Sequence, residues 1–235
     1  MIAGYRDART AKVRDNREIA LLSHIFNMAR EWGLTERENP CQGIRKNRET
    51  PRDYYANAVV WDAVYDMAEP ELKEAMDLAY LTGQRPADVI LMRSDDRDGD
   101  YFMVIQGKTK QKLRILLTNE SGENSLGRLI REVTERNAHH PSKYLLISKH
   151  RKRMTKGMLR LRWDKAREKA QQKAIKDGYP MLAAKIGGFQ FRDIRPKATS
   201  EIVDIGDASL LLGQTKQEIT KRVYRRVGVT AKPSK

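Results

Sequence analysis

The chain has 235 residues, and 46 Lys and Arg against 31 Asp and Glu leave a formal charge of +15. That length suits one sizeable domain with a small appendage, and apolar residues recur along nearly all of it, which excludes a disordered charged tail as the source of the excess. A folded surface this basic points to a polyanionic partner, nucleic acid above all, while the single Cys41 excludes an intrachain disulfide and suits a reducing cytoplasm.

Residues 16–32 read as an amphipathic helix with Ile19, Leu22, Ile25, Phe26 and Ala29 on one face. Gly33 stops it, Asn39-Pro40 marks a turn, and the polar stretch 43–53, with Pro51 inside it, reads as a linker. Residues 57–67 and 71–81 follow as two helices separated by Glu69-Pro70. Pro86 then sits where a first-turn proline opens another helix, ending near Met92. The period changes at residues 101–106 and 112–117, which read as the two strands of a β-hairpin, and residues 143–148 are candidates for a third strand. Between them, residues 125–137 read as a helix. From Thr155 onward the pattern is helical apart from a break over residues 177–188, and residues 158–176 make a long basic helix. With Lys149, Arg151, Lys152 and Arg153 just before it, that helix suits a surface that tracks DNA. The expected fold is mainly α with a small antiparallel three-stranded β-sheet. Trp32, Trp61 and Trp163 fall in helical apolar patterns and read as core. No apolar run approaches the ~18–20 residues needed to cross a bilayer, and the N-terminus has no secretory apolar segment.

Four segments carry candidate chemistry. Leu81-Thr82-Gly83-Gln84-Arg85-Pro86-Ala87-Asp88-Val89 places Arg85 at the opening of a helix, and Gln106-Gly107-Lys108-Thr109-Lys110 forms the hairpin turn. Phe191-Arg192-Asp193-Ile194-Arg195-Pro196 is the third. Leu211-Leu212-Gly213-Gln214, followed by Thr220-Lys221-Arg222-Val223-Tyr224-Arg225-Arg226, is the last. Arginine forks suit the charge that builds on the oxygens of an attacked phosphate, because they bind two oxygens at once and keep their proton. The competing reading pairs Arg85 with Asp88 and Arg195 with Asp193. A phenol, with its pKa near ~10, needs neighbouring positive charge to act as a nucleophile at neutral pH.

In this order the four segments resemble the signature boxes of the tyrosine recombinases of the phage-integrase type. The resemblance runs from about Asn57 to the end, and the helix and turn before it resemble the end of that family's core-binding domain. It implies a helical remnant and linker over residues 1–50 and a tyrosine recombinase catalytic domain over 51–235. It further implies site-specific DNA recombination, the integration or excision of a phage or mobile element, through a 3′-phosphotyrosine. Tyr224 is then the nucleophile, Arg85 and Arg195 clamp the scissile phosphate, and Lys108 is the general acid, with Lys110 as the alternative. The implied partners are double-stranded attachment-site DNA, a homotetramer on two duplexes with the residues after Tyr224 docking on a neighbour, and accessory DNA-bending proteins. No cofactor, metal or membrane is expected. The setting would be the cytoplasm of a bacterial or phage-infected cell, in association with the nucleoid.

Two positions depart from the family pattern. Arg192 stands where the family has a histidine, and Gln214 replaces the histidine or tryptophan after Leu-Leu-Gly. Both can donate to a phosphate oxygen, but neither shuttles a proton as an imidazole does. The N-terminal region is also too short for a full core-binding domain, so the length predicts a fragment, a truncated gene product or a late translation start. Two rivals follow: a catalytically weakened DNA-binding remnant, and a basic RNA-binding protein that would leave the order of the boxes unexplained. His24, His139, His140 and His150 lack Cys or carboxylate partners at ligand spacing, so no metal site is expected.

Overall fold

The computed structural model describes residues 2–214, 217–224 and 226, the side chains of Lys221 and Arg222 excepted. The chain divides into two units, Met1–Arg52 and Asp53–Lys235.

Among its described residues the first unit holds two helices, α1 (Ile2–Ala8) and α2 (Lys12–Glu31). The segment after α2 is tied back to it by asparagines. Asn16 donates to the carbonyl of Asn47 at 2.9 Å and accepts from its amide at 2.7 Å, and Asn39 donates to Asn27 and Ser23. Few apolar side chains are covered here: Leu21, Leu22, Ile25, Trp32 and Leu34 are exposed within the chain, Trp32 at 66%. Trp32 is therefore not a core residue. It falls just past the end of α2, beyond the helical register that suggested burial.

In the second unit, α3 (Ala58–Asp66) starts on Asn57, whose side chain accepts from the amide of Val60 as an N-cap. Helix α4 (Pro70–Thr82) opens with proline in its first turn and ends on Gly83 in the left-handed conformation, φ 63°. The short helix α5 (Pro86–Val89) follows, with Arg85 as its N-cap residue. It stops at Val89, three residues earlier than expected.

Strands β1 (Arg97–Asp98), β2 (Tyr101–Ile105) and β3 (Lys112–Leu116) form an antiparallel sheet in that order, with Phe102 opposite Ile115 and Val104 opposite Leu113. The third strand is thus β1 and not residues 143–148, which make only the isolated bridges Arg93–Tyr144 and Ile147–Arg153. A two-residue link, Gly99-Asp100, lets β1 pair at once with β2, whereas 143–148 lies beyond helix α6 (Ser125–Arg136), where Leu145 and Leu146 are buried in the core. A small second ribbon joins β4 (Thr118–Asn119) to β5 (Gly122–Glu123).

Helix α7 (Lys156–Lys176) runs into α8 (Pro180–Gly188), which occupies the stretch read as a break. The Asp177-Gly178 turn with φ 83° at Gly178 is the true interruption, and Pro180 begins the new helix. Gly187 and Gly188 end α8. A Cβ on Gly188 would come within 2.9 Å of the Tyr54 ring, so the small residue permits a close approach. Helices α9 (Ile194–Glu201) and α10 (Ile205–Leu212), the turn α11 (Gln217–Ile219) and a π-helical segment, Thr220–Tyr224, complete the described chain. One core joins these elements. It includes Val60, Leu72, Met76, Phe102, Ile130, Trp163, Ile186 and Phe189. Burying each large apolar side chain contributes about 1.5–3 kcal/mol before the chain entropy is subtracted.

Candidate active site

The α4–α5 corner, the root of the β2–β3 hairpin, α9 and the C-terminal end of α10 meet in one place. Each is held there by a local device. The left-handed Gly83 turns the chain sharply, so that Gln84 points inward and Arg85 caps the next helix. Ahead of α9, the turn Phe191–Asp193 is closed by Asp193, whose carboxylate accepts from the amide of Gln190 at 2.8 Å. Its position is set by aromatic packing, because Trp163 meets Phe189 and Phe191 edge to face at 4.9 and 5.3 Å. Helix α10 is N-capped by Asp204 and ends on Gly213, φ 61°, leaving the carbonyls of Leu211 and Leu212 free to accept from side chains.

Arg195 is 3% exposed and donates to the carbonyls of Gly83 at 2.6 Å and Leu212 at 2.9 Å. Its guanidinium lies over the ring of Tyr224, 5.0 Å from the centroid. Burial pulls this guanidinium down to about 10, Tyr224 and Asp88 oppose the shift, and Arg85 adds to it. At neutral pH it is still a cation. Its Nε is buried and has no hydrogen-bond partner among the described residues. Among the described residues, the hydrogen bonds of Arg195 go to these two carbonyls rather than to Asp193, the acid of the competing reading. Arg85 does lie near Asp88, at 3.9 Å, but its closer partner is the amide oxygen of Gln106 at 3.2 Å.

Tyr224 is half-buried. Its carbonyl accepts from the hydroxyl of Ser200 at 3.3 Å, and that hydroxyl in turn accepts from the amide of Arg226 at 2.7 Å. Ser200 on α9 thus fastens the backbone on both sides of residue 225. Lys108 is exposed in the turn between β2 and β3. Gln214, just past α10, donates its backbone N–H to the carbonyl of Ser209 at 2.9 Å and accepts from the Ser209 hydroxyl through its backbone carbonyl at 3.1 Å. Arg192 is exposed and lines, with Arg85, Leu159, Arg160 and Trp163, a cavity of about 640 Å³ beside the site. Lys156 and Arg167 from α7 add to its positive rim over an apolar floor. Arg225, the side chain of Arg222 and residues 227–235, where a docking tail was expected, lie outside the described residues.

The sequence reading gives Gln106 no role, yet it is the best-connected side chain of the site and fully buried. Its amide nitrogen donates to Gln84 at 2.8 Å and to the Leu212 carbonyl at 2.9 Å, and its oxygen accepts from Arg85 and from the Thr109 hydroxyl. Gln84 in turn donates to the carbonyls of Thr82 and Leu211. The signal was present in the strand alternation: Phe102, Val104 and Gln106 share the inward face, and the third is polar.

The model of the phage integrase family matches residues 57–228, well over half of the chain. The integrase of Escherichia phage HK022 is 32% identical over 117 residues, covering 48% of this chain and 32% of that one. The chain is similar in structure to a lambda integrase dimer bound to a COC′ core site, with TM-score 0.72 and 19% identity over 100% of this chain and 65% of the other. It is also similar to a lambda integrase tetramer bound to a Holliday junction, with TM-score 0.69 and 21% identity over 99% of this chain and 65% of that one. At these identities the likeness is one of fold. The matched segment spans about a third of the HK022 integrase.

Proposed function

The chain belongs to the phage integrase family, and from that premise we propose that it breaks and rejoins duplex DNA at a specific site through a covalent bond to Tyr224. The observation that carries this reading is the stacking of Arg195 on the Tyr224 ring, with Arg85 joined to the same cluster through Gln106. A nucleophile and two phosphate-binding cations from distant parts of the chain converge there.

In the proposed reaction the Tyr224 oxygen gives up its proton to water and attacks the scissile phosphorus. The bond to Tyr224 forms as the bond to the 5′ oxygen breaks, and Lys108 gives that oxygen its proton. Arg85 and Arg195, with Arg192 and Gln214 donating from the rim, stabilise the charge on the non-bridging oxygens as it grows. The phosphotyrosine keeps the energy of the phosphodiester, so the 5′ hydroxyl of another strand can reverse the step without a high-energy cofactor. The first unit is assigned to the end of a core-binding domain and the second to the catalytic domain. Attachment-site DNA and further copies of the chain, four on two duplexes, are the proposed partners. This is in keeping with the lambda integrase dimer on its core site and the tetramer on its junction. Accessory DNA-bending proteins and a place at the nucleoid in the cytoplasm complete the proposal. Among the described residues no helix is long and apolar enough to cross a membrane.

The test is covalent trapping on nicked duplexes that carry candidate attachment sites. A protease-sensitive adduct on a denaturing gel, absent in Tyr224→Phe, is expected. Binding of the same DNA without an adduct would overturn the enzymatic reading in favour of a DNA-binding remnant.

A further inference from the structure

Lys108 is exposed, but its two neighbours are not free. The amide of Gly107 donates to the Asp88 carboxylate at 2.9 Å, and that carboxylate's other oxygen lies 3.9 Å from Arg85. On the other side, the Thr109 hydroxyl turns back into the protein and donates to the Gln106 amide oxygen at 2.6 Å, the same oxygen that accepts from Arg85 at 3.2 Å. Lys108 is therefore bracketed by two tethers, and each ends on a group that faces Arg85. The base of the turn is closed by the backbone, Lys110 donating to the carbonyl of Gln106 at 2.8 Å with a left-handed φ of 58°.

The geometry is unequal in an informative way. Gln106 is buried and all four of its hydrogen-bonding positions are used, so its oxygen is a fixed point. Thr109 is an exposed residue in a turn, where a hydroxyl would ordinarily bond to water. Its inward bond contributes little to the stability of the core and much to the conformation of the turn. Proton delivery to a leaving oxygen requires the donor within hydrogen-bond reach, and misplacement of about 1 Å is costly.

We infer that Thr109 is a positioning residue: its bond to Gln106 latches the turn so that Lys108 is presented beside the phosphate held by Arg85. The latch couples the proton donor to the phosphate clamp through a single amide oxygen. It rests on the reading of Lys108 as the general acid.

The experiment measures single-turnover adduct formation on two versions of one nicked substrate. One carries the ordinary 5′ oxygen at the scissile position and the other a 5′ sulfur, which leaves as a thiolate and needs no proton. Thr109→Val should slow the oxygen substrate about tenfold, a part of the roughly 10²–10⁴-fold that a general acid contributes in full, and leave the sulfur substrate at the unaltered rate. Thr109→Ser, which keeps the hydroxyl, should regain most of the loss. Gln106→Met, which also frees Arg85, should slow both substrates, as should Arg85→Ala. If Lys108→Ala is restored by sulfur while Thr109→Val cleaves both substrates at the unaltered rate, or slows both equally, the latch is overturned and the acid assignment stands. If Lys108→Ala is slowed equally on both substrates, or not at all, the acid assignment falls and the inference with it.

Discussion

Arg195 and Gln106 donate to one and the same carbonyl, that of Leu212, at 2.9 Å each. The C-terminal end of α10, where helix carbonyls lack helical partners and carry partial negative charge, is thus the joint between a buried cation and a buried amide. Since Gln106 also holds Arg85, the two arginines are set at a fixed separation by a chain of hydrogen bonds rather than by an opposing carboxylate. Asp88 pairs with Arg85 only loosely, at 3.9 Å, and the hydrogen bonds of Arg195 go to carbonyls.

Arg195 also supports the Tyr224 ring, and this separates binding from chemistry. Tyr224→Phe keeps the ring and its stacking on the guanidinium while removing the oxygen proposed to attack. It should bind DNA within about twofold of the unaltered chain and form no adduct. Arg195→Ala should lose about a hundredfold or more in adduct formation, the scale seen when one donor to a developing oxyanion is removed. Gel shift and covalent trapping on the same duplex distinguish the two effects.

Gly213 ends α10 with φ 61°, and a Cβ there would lie 3.1 Å from both the Gln106 amide nitrogen and Leu113. Gly213→Ala should therefore destabilise the fold by about 1–3 kcal/mol, from the strained backbone together with displacement of a satisfied amide. Urea unfolding measures it. An unchanged midpoint would mean that the α10 end can shift without cost.

Glu201 accepts from Lys197, Tyr80 and Tyr55 at 2.6, 2.5 and 2.8 Å. Burial works against its charge, but the bonds from Lys197, Tyr80 and Tyr55 hold the carboxyl below its ordinary 4.5. Burial with the carboxylate pushes the Tyr55 phenol up to about 12, so it keeps its proton and remains a donor. A lowered carboxyl stabilises the fold fully above about pH 4.5, and the contribution is lost as pH falls through the lower folded value. Glu201→Gln should cost about 2 kcal/mol at pH 7, as expected for bonds to a charged group. The difference from the unaltered chain should shrink by pH 3 in urea unfolding.

The α7 face beside the site should contact phosphates. Arg160 is exposed there and only loosely paired with Asp164 at 3.7 Å, and Lys156 lies one turn earlier. Each substitution to alanine should weaken binding similarly across DNA sequences and lower the slope of log affinity against log salt by about 1. A loss confined to one sequence would instead make that side chain a reader of bases.

Periodicity was enough to locate most helices and the hairpin, because each buries one face and repeats accordingly. The exceptions have local causes. Arg97–Asp98 is a two-residue strand with no alternation to see, and it pairs through backbone geometry alone. Residues 143–148 look like a strand because Leu145, Leu146 and Ile147 are apolar, but they are buried against helices without a ladder. Helix α8 is short and rich in small residues, and its signal is Pro180 rather than a stripe. In the site, Arg85, Arg195 and Tyr224 can be picked out because the segments that hold them resemble, in order, a family's boxes. Gln84 and Ser200 hold them by contacts across the chain that no local pattern announces, whereas the inward alternation that continues from β2 marks Gln106.

Gln84 and Gln106 also restrict how the protein can change. Gln106 uses both protons and both lone pairs. Replacing it alone strands several buried polar groups together, while a replacement that fits must arrive with matching changes at Gln84 or Thr109. Single substitutions here should therefore be far from additive in pairs. The residues around the phosphate clamp would drift as a set, and laboratory selection should recover function through double changes at these positions more readily than through single ones.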